Sequence, residues 1–128
     1  MTKIDKTGEK LVAVIAEGMK EKKAKRITVL DLRSLEQAVC DYFVICNAES
    51  TTQVNSIADS VEHFSKKELN EKPLHIEGVE NAIWVLLDYG DVVVHVFQDE
   101  SRAFYDIEEF WADAVRIEHA EDETSMMK

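Results

Sequence analysis

Residues 83–97, Ile-Trp-Val-Leu-Leu-Asp-Tyr-Gly-Asp-Val-Val-Val-His-Val-Phe, constrain the fold most: two short apolar runs flank one polar turn. Both runs are rich in β-branched and aromatic residues and stop at turn signals, which predicts two antiparallel strands. Tyr89-Gly90 can form a tight two-residue loop, with Gly supplying positive φ at the second central position. That loop predicts a register in which Asp88 faces Asp91, Leu86 faces Val93 and Trp84 faces His95. Leu87 with Val92, Val85 with Val94 and Ile83 with Val96 then share the opposite face, because side chains alternate. The opposite face is wholly aliphatic and needs an apolar cover, expected to be helices. The first face carries an indole, an imidazole and two carboxylates, a set suited to a partner, a ligand or a polar network.

The remaining elements predict an α+β protein, a mixed β-sheet flanked by helices. Leu11, Val14, Ile15, Gly18, Met19 and Lys22 recur at helical spacing within a helix over residues 5–23. Gly18 in that stripe permits a close approach to the sheet. Residues 27–32 and 41–46 read as strands, the second apolar on both faces and therefore central. Residues 34–39 between them read as a loop or a single helical turn. Ser50 and Gln53 form a capping-box pattern ahead of a helix that runs to about Leu69. Its apolar face is Val54, Ile57, Ala58, Val61 and Phe64 or Ser65. Leu74-His75-Ile76 follows Pro73 as a short edge strand. Ser101 can cap a third helix from Arg102 to about Ala114, with Phe104, Ile107 and Trp111 on its inner face. Tyr105 and Trp111 are expected in the core, Arg102 and Glu108 at the surface or packed on the hairpin. Residues 114–117 can add a brief strand. One domain, residues 1–117, is expected, followed by an acidic, unpatterned tail over 118–128 that predicts disorder.

Composition narrows the function. At 128 residues and 45% hydrophobic, the chain can bury one core. No apolar run has the length of a membrane span, and MTKIDKTGEK lacks the apolar centre of a signal peptide, so no membrane partner and a cytoplasmic protein are expected. Cys40 and Cys46 lie in or beside one strand. Six extended residues hold them roughly 20 Å apart, far beyond disulfide reach, so reduced thiols are expected. The net charge of −11 argues against direct nucleic-acid binding, which needs clustered Lys and Arg. The basic run from Lys20 to Arg26 suits a helix end. An acidic protein acting near nucleic acid would touch a basic protein there.

No set of side chains specifies chemistry. The four histidines have no ligand spacing and there is no CxxC, so no metal is expected. The glycines are isolated, which leaves no phosphate loop and no nucleotide cofactor. Asp88, Asp91 and His95 could hold a divalent ion for a nucleotidyltransferase-like reaction. Loop-tip carboxylates facing water, or a basic residue of a partner, account for them more simply. Ser50 and Ser101 read as helix caps rather than nucleophiles. An aromatic with apolar neighbours and a polar rim is how a protein interface begins, so Trp84 is the candidate anchor.

Several stretches taken together resemble the ribosomal silencing factors, also called the Iojap-like family. They are Asp41-Tyr42-Phe43-Val44-Ile45, Ser56-Ile57-Ala58-Asp59, Glu77-Gly78, the run from Trp84 to Phe97, and Arg102, Tyr105, Glu108 and Trp111. The likeness spans the first helix to Trp111. The chain departs from it at Ala48, where the family usually has Gly. The resemblance implies a nucleotidyltransferase-like core without catalysis. It also implies a translational repressor that binds the large ribosomal subunit through the ribosomal protein numbered fourteen. Binding there blocks subunit joining when nutrients run short. Such proteins are often homodimers when free. On that reading Trp84 and Tyr89 anchor the partner, Leu86 and His95 complete the patch, and Asp88 and Asp91 pair with its Lys or Arg.

Overall fold

The computed structural model describes residues 2–119. In chain order these form α1 (Thr2–Glu21), β1 (Lys25–Asp31), β2 (Tyr42–Ala48), α2 (Thr51–Leu69), β3 (His75–Glu77), β4 (Trp84–Asp88) and β5 (Val92–Gln98), then α3 (Asp99–Tyr105), α4 (Ile107–Phe110) and β6 (Val115–Glu118). The strands make one sheet in the order β3-β4-β5-β2-β1-β6. β2 and β5 run parallel and the other neighbours antiparallel, so the sheet is mixed and the fold α+β. None of the helices among the described residues is long and apolar enough to cross a membrane.

α1 and α2 cover one face of the sheet. The expected aliphatic face lies beneath them, with Val85, Leu87, Val92, Val94 and Val96 all buried, while Ile83 stays outside the strand and partly exposed. Gly18 serves α2 rather than the sheet. A Cβ there would stand 3.0 Å from the Val61 Cα, and the Gly18 carbonyl accepts from Ser60 Oγ at 2.7 Å. Ser50 caps α2 by accepting from the Gln53 N–H, but the Gln53 side chain donates to the Lys22 carbonyl instead of returning to Ser50. Half of the capping box is therefore made, and the other half ties α2 to the end of α1. Asn70 ends α2 in the left-handed region, at φ 55. Ala48, at the departure from the family pattern, is an ordinary strand residue buried in this core.

The hairpin register differs from expectation by one pair. Trp84 pairs with Phe97, Leu86 with His95, and Asp88 with Val93. The Tyr89 N–H donates to the Val92 carbonyl at 2.8 Å, which leaves Gly90 and Asp91 as the loop. Gly90 holds the first central position with φ +94, the demand of a type II′ turn. Because the slip amounts to two residues in pairing, the side chains within β4 and β5 keep their expected faces, while Ile83 and Asp91 fall outside the strands.

The third helix is corrected more deeply. It starts at Asp99, places Ser101 inside the first turn rather than at the cap, and breaks at Asp106 with φ 46. Arg102 and Glu108 lie in the interior, not at the surface. Residues six apart sit about 120° apart around an unbroken helix. The left-handed break lets Glu108 turn back to Arg102 and receive it in a bidentate pair at 3.1 and 2.7 Å. Arg102 also donates to the Arg26 carbonyl, Asn47 Oδ1 and Thr28 Oγ1. Burial opposes the Glu108 charge, but Arg102 and Arg116 outweigh it and hold the carboxyl below its ordinary range.

The brief last strand is present as β6, on the far edge beside β1. Glu118, expected to open the tail, is its last residue, and residues 120–128 lie outside the described residues. Cys46 is buried and Cys40 half-buried, and burial pushes their thiols up to about 12 and about 11.

Candidate functional site

The sheet face opposite α1 and α2 carries a second core: Leu30, Leu32, Phe43, Ile45 and Phe97, with Trp84 and Trp111 packed partly buried against it. α3 and α4 cover only part of this face: α3 packs on β5 and β2, and its Arg102 is tied to β1 and β2. Toward the β3 edge the face opens, and Trp84 stands at the boundary.

Trp84 is half-buried, and its orientation is set from several sides. The indole N–H donates to His95 Nδ1 at 3.1 Å. Its ring lies 4.9 Å from that of Phe97 and 4.8 Å from that of Tyr105. Beside the strand, Gly78 at φ +88 sits against the Trp84 carbonyl so closely that any Cβ would collide with it. His95 is only 4% exposed, and burial lowers its pKa to about 4, so the imidazole is neutral. Accepting at Nδ1 places the proton on Nε2, which finds no hydrogen-bond partner. The His95 ring stands edge-on to Phe43 with centroids 4.5 Å apart. His95 therefore supports the indole from below and does not itself reach the surface.

Leu86 lies two residues along the same face. With Trp84, Glu77 and Gly78 it lines a shallow notch of about 230 Å³. Its floor is apolar and a carboxylate stands on its rim, which suits the stem and head of a lysine or arginine. Asp88 shares the face, but its Oδ1 accepts from the Gly90 N–H at 2.8 Å. Asp91 is exposed in the loop, and its carbonyl accepts from the Asp41 and Tyr42 N–H groups. The two carboxylates do not face each other, so the pairing behind the divalent-ion idea is not formed. Among the described residues no group of three His, Cys, Asp or Glu side chains converges on a metal position. Tyr89 points to the helical side. It is buried, its hydroxyl lies 2.8 Å from Ser65 Oγ, and burial pushes its phenol up to about 12.

The structure thus brings Trp84, Leu86, Asp88 and His95 to one face, leaves Asp91 at its tip, and sends Tyr89 away from it. Two residues that periodicity turned inward or to the flank of a long helix are instead almost free of the domain: Phe104 is 80% and Phe110 79% exposed. The signal that could have flagged them is Asp106 between them, a residue type that tolerates the left-handed break. The charge is equally lopsided. Residues 1–76 hold twelve acidic and twelve basic side chains, whereas residues 77–128 hold fourteen acidic and three basic. The whole net charge belongs to the part of the chain that builds β4, β5, α3, α4 and β6.

Comparison with known proteins agrees with this architecture. A family model described as "Ribosomal silencing factor during starvation" matches residues 5–128. A protein of Halalkalibacterium halodurans named ribosomal silencing factor RsfS is 37% identical over 115 residues, 88% of this chain and 94% of that protein. One of the same name from Bacillus subtilis is 37% identical over 107 residues, 81% of this chain and 86% of that protein. The crystal structure of protein CV0518 from Chromobacterium violaceum superposes with a TM-score of 0.76 at 34% identity, covering 81% of this chain and 85% of that one. With its family model spanning nearly every residue and relatives matched along most of their own length, the chain belongs to the ribosomal silencing factor family.

Proposed function

We propose that this protein is a cytoplasmic translational repressor that docks on the large ribosomal subunit. Its contact is the basic ribosomal protein numbered fourteen, and it acts as an anti-association factor that keeps the small subunit from joining under nutrient limitation. The observation that carries the reading is Trp84, an indole held rigid by His95, Phe97 and Tyr105 at the open side of a sheet in the acidic half of the molecule. Rigid aromatic anchors in apolar surroundings concentrate binding energy. An acidic rim steers the protein to a basic partner and away from the surrounding phosphates. Blocking by occupancy requires no catalysis, and the nucleotidyltransferase-like core is read as scaffold.

Cosedimentation with separated ribosomal subunits tests this. Wild-type protein is expected with the large subunit alone. Trp84→Ala is expected to weaken binding by roughly 2 kcal/mol, about 30-fold. Undiminished binding of that variant would remove Trp84 from the contact.

The competing reading, a metal-dependent nucleotidyltransferase using Asp88, Asp91 and His95, is disfavoured by two contacts. Asp88 is engaged by the Gly90 N–H, and His95 by the indole. Magnesium-dependent heat on titration with nucleoside triphosphates would revive it.

A further inference from the structure

We infer that the docking surface continues from Trp84 onto α3 and α4, with Phe104 and Phe110 as exposed anchors and a basic protein surface as the occupant. The inference rests on the ribosomal reading above and specifies the footprint and the chemistry of its partner.

The two phenylalanines are exposed but backed. Phe104 meets Tyr105 edge-on at 5.0 Å, and Tyr105 lies 4.8 Å from Trp84. Phe110 meets Trp111 edge-on at 5.1 Å, and Trp111 stands 6.0 Å from Phe43. Each exposed ring is thus two aromatic contacts from the sheet face, one by way of Trp84 and one by way of Phe43. The helices that carry them are fastened from beneath by the buried Arg102–Glu108 pair, so the rings are presented on a fixed support. A docking patch of standard size covers about 800 Å² on each partner. The notch beside Trp84 and Leu86 is much smaller than that. Two exposed phenylalanines, at roughly 150–250 Å² each, supply much of the difference.

Charge selects the occupant. Glu100, Asp106, Glu109 and Asp113 flank the two phenylalanines along the chain. Of the basic residues nearby, Arg102 and Arg116 are engaged by Glu108, and Arg26 shares a shallow cleft with Asp106, Glu108 and Glu109. A phosphate backbone would be repelled. A second copy brought face to face would set this acidic half against its own like. A basic protein surface satisfies both the rings and the carboxylates.

The test titrates the labelled full-length chain with purified large ribosomal subunits. A Phe104→Ser/Phe110→Ser variant is expected to bind at least 10-fold more weakly with an unchanged melting temperature. A benzophenone analogue in place of Phe110 keeps the ring and is expected to crosslink to a basic ribosomal protein. Glu109→Lys/Asp113→Lys is expected to weaken binding as well. If Trp84→Ala weakens binding while the double Phe variant binds like wild type, the extension to α3 and α4 is overturned and the ribosomal reading stands. If the benzophenone captures only rRNA or a second copy of the chain, the assigned occupant is wrong. If wild-type protein does not bind large subunits at all, the ribosomal reading fails and this inference with it.

Discussion

His95 shows how one side chain serves the site without touching a partner. Its neutral ring accepts the Trp84 N–H, and burial lowers its pKa from 6.5 to about 4. The sign follows from linkage. Above pH 6.5 the imidazole is neutral in both folded and unfolded chains and adds no pH dependence. Between pH 6.5 and 4 the unfolded chain takes up a proton that the folded chain refuses, so stability falls, and below pH 4 the loss levels off. The full effect is about 3 kcal/mol. Urea unfolding of wild type against His95→Gln across pH 7.5 to 4 is expected to show this extra slope in wild type only. Parallel pH profiles would mean that His95 does not resist protonation in the folded protein. The residue types on the Trp84 face were legible in the sequence through alternation alone. That His95 lies under the indole rather than beside it was not, because depth depends on Phe43, which comes from another strand.

At the scale of elements, the α3–α4 break is the feature that decides which aromatics are inside. A single helix with Phe104, Ile107 and Trp111 on one face is a sound expectation from periodicity. The desolvated Arg102–Glu108 pair overrules it. A buried pair contributes little against an apolar replacement of both partners, but removing one leaves a charge without its partner in the interior. Arg102→Met leaves the buried Glu108 with only the partly exposed Arg116 as partner, and is therefore expected to destabilise by about 2 kcal/mol or more, read as a shift in urea midpoint at pH 7. It also removes the donor to Asn47 Oδ1 and Thr28 Oγ1, while the Arg26 carbonyl keeps the Thr28 hydroxyl as donor. A loss below about 1 kcal/mol would mean that the network does not hold α3 and α4 in place. The hairpin teaches a related lesson. Its strands were legible, but the assignment of Gly90 to one loop position or the next turns on a backbone hydrogen bond between Tyr89 and Val92 that no local pattern signals.

At the scale of the molecule, charge is partitioned. The neutral first 76 residues include α1 and α2, and the acidic remainder builds the Trp84 face and its helical cover. Attraction between this half and a basic partner is long-ranged and screened by salt, with a Debye length of about 8 Å at 0.15 M and 3 Å at 1 M. Association with large subunits is expected to slow at least 10-fold between 0.05 and 0.5 M salt, with a smaller change in the dissociation rate. Stopped-flow fluorescence of the labelled protein measures both. An association rate insensitive to salt would remove electrostatic steering from the mechanism.

By itself the sequence determined the strands, the first two helices, the apolar face under them and the face that carries Trp84, because the periods of strand and helix are local properties of the backbone. Parity survives a two-residue slip, so the faces were legible even where the pairing was not. Only the tertiary structure decided that Tyr89 turns to Ser65, that Arg102 and Glu108 meet in the interior, and that Phe104 and Phe110 face outward. Each of those outcomes depends on groups brought together from distant parts of the chain or across a left-handed break, where helical spacing no longer predicts which side chains are neighbours.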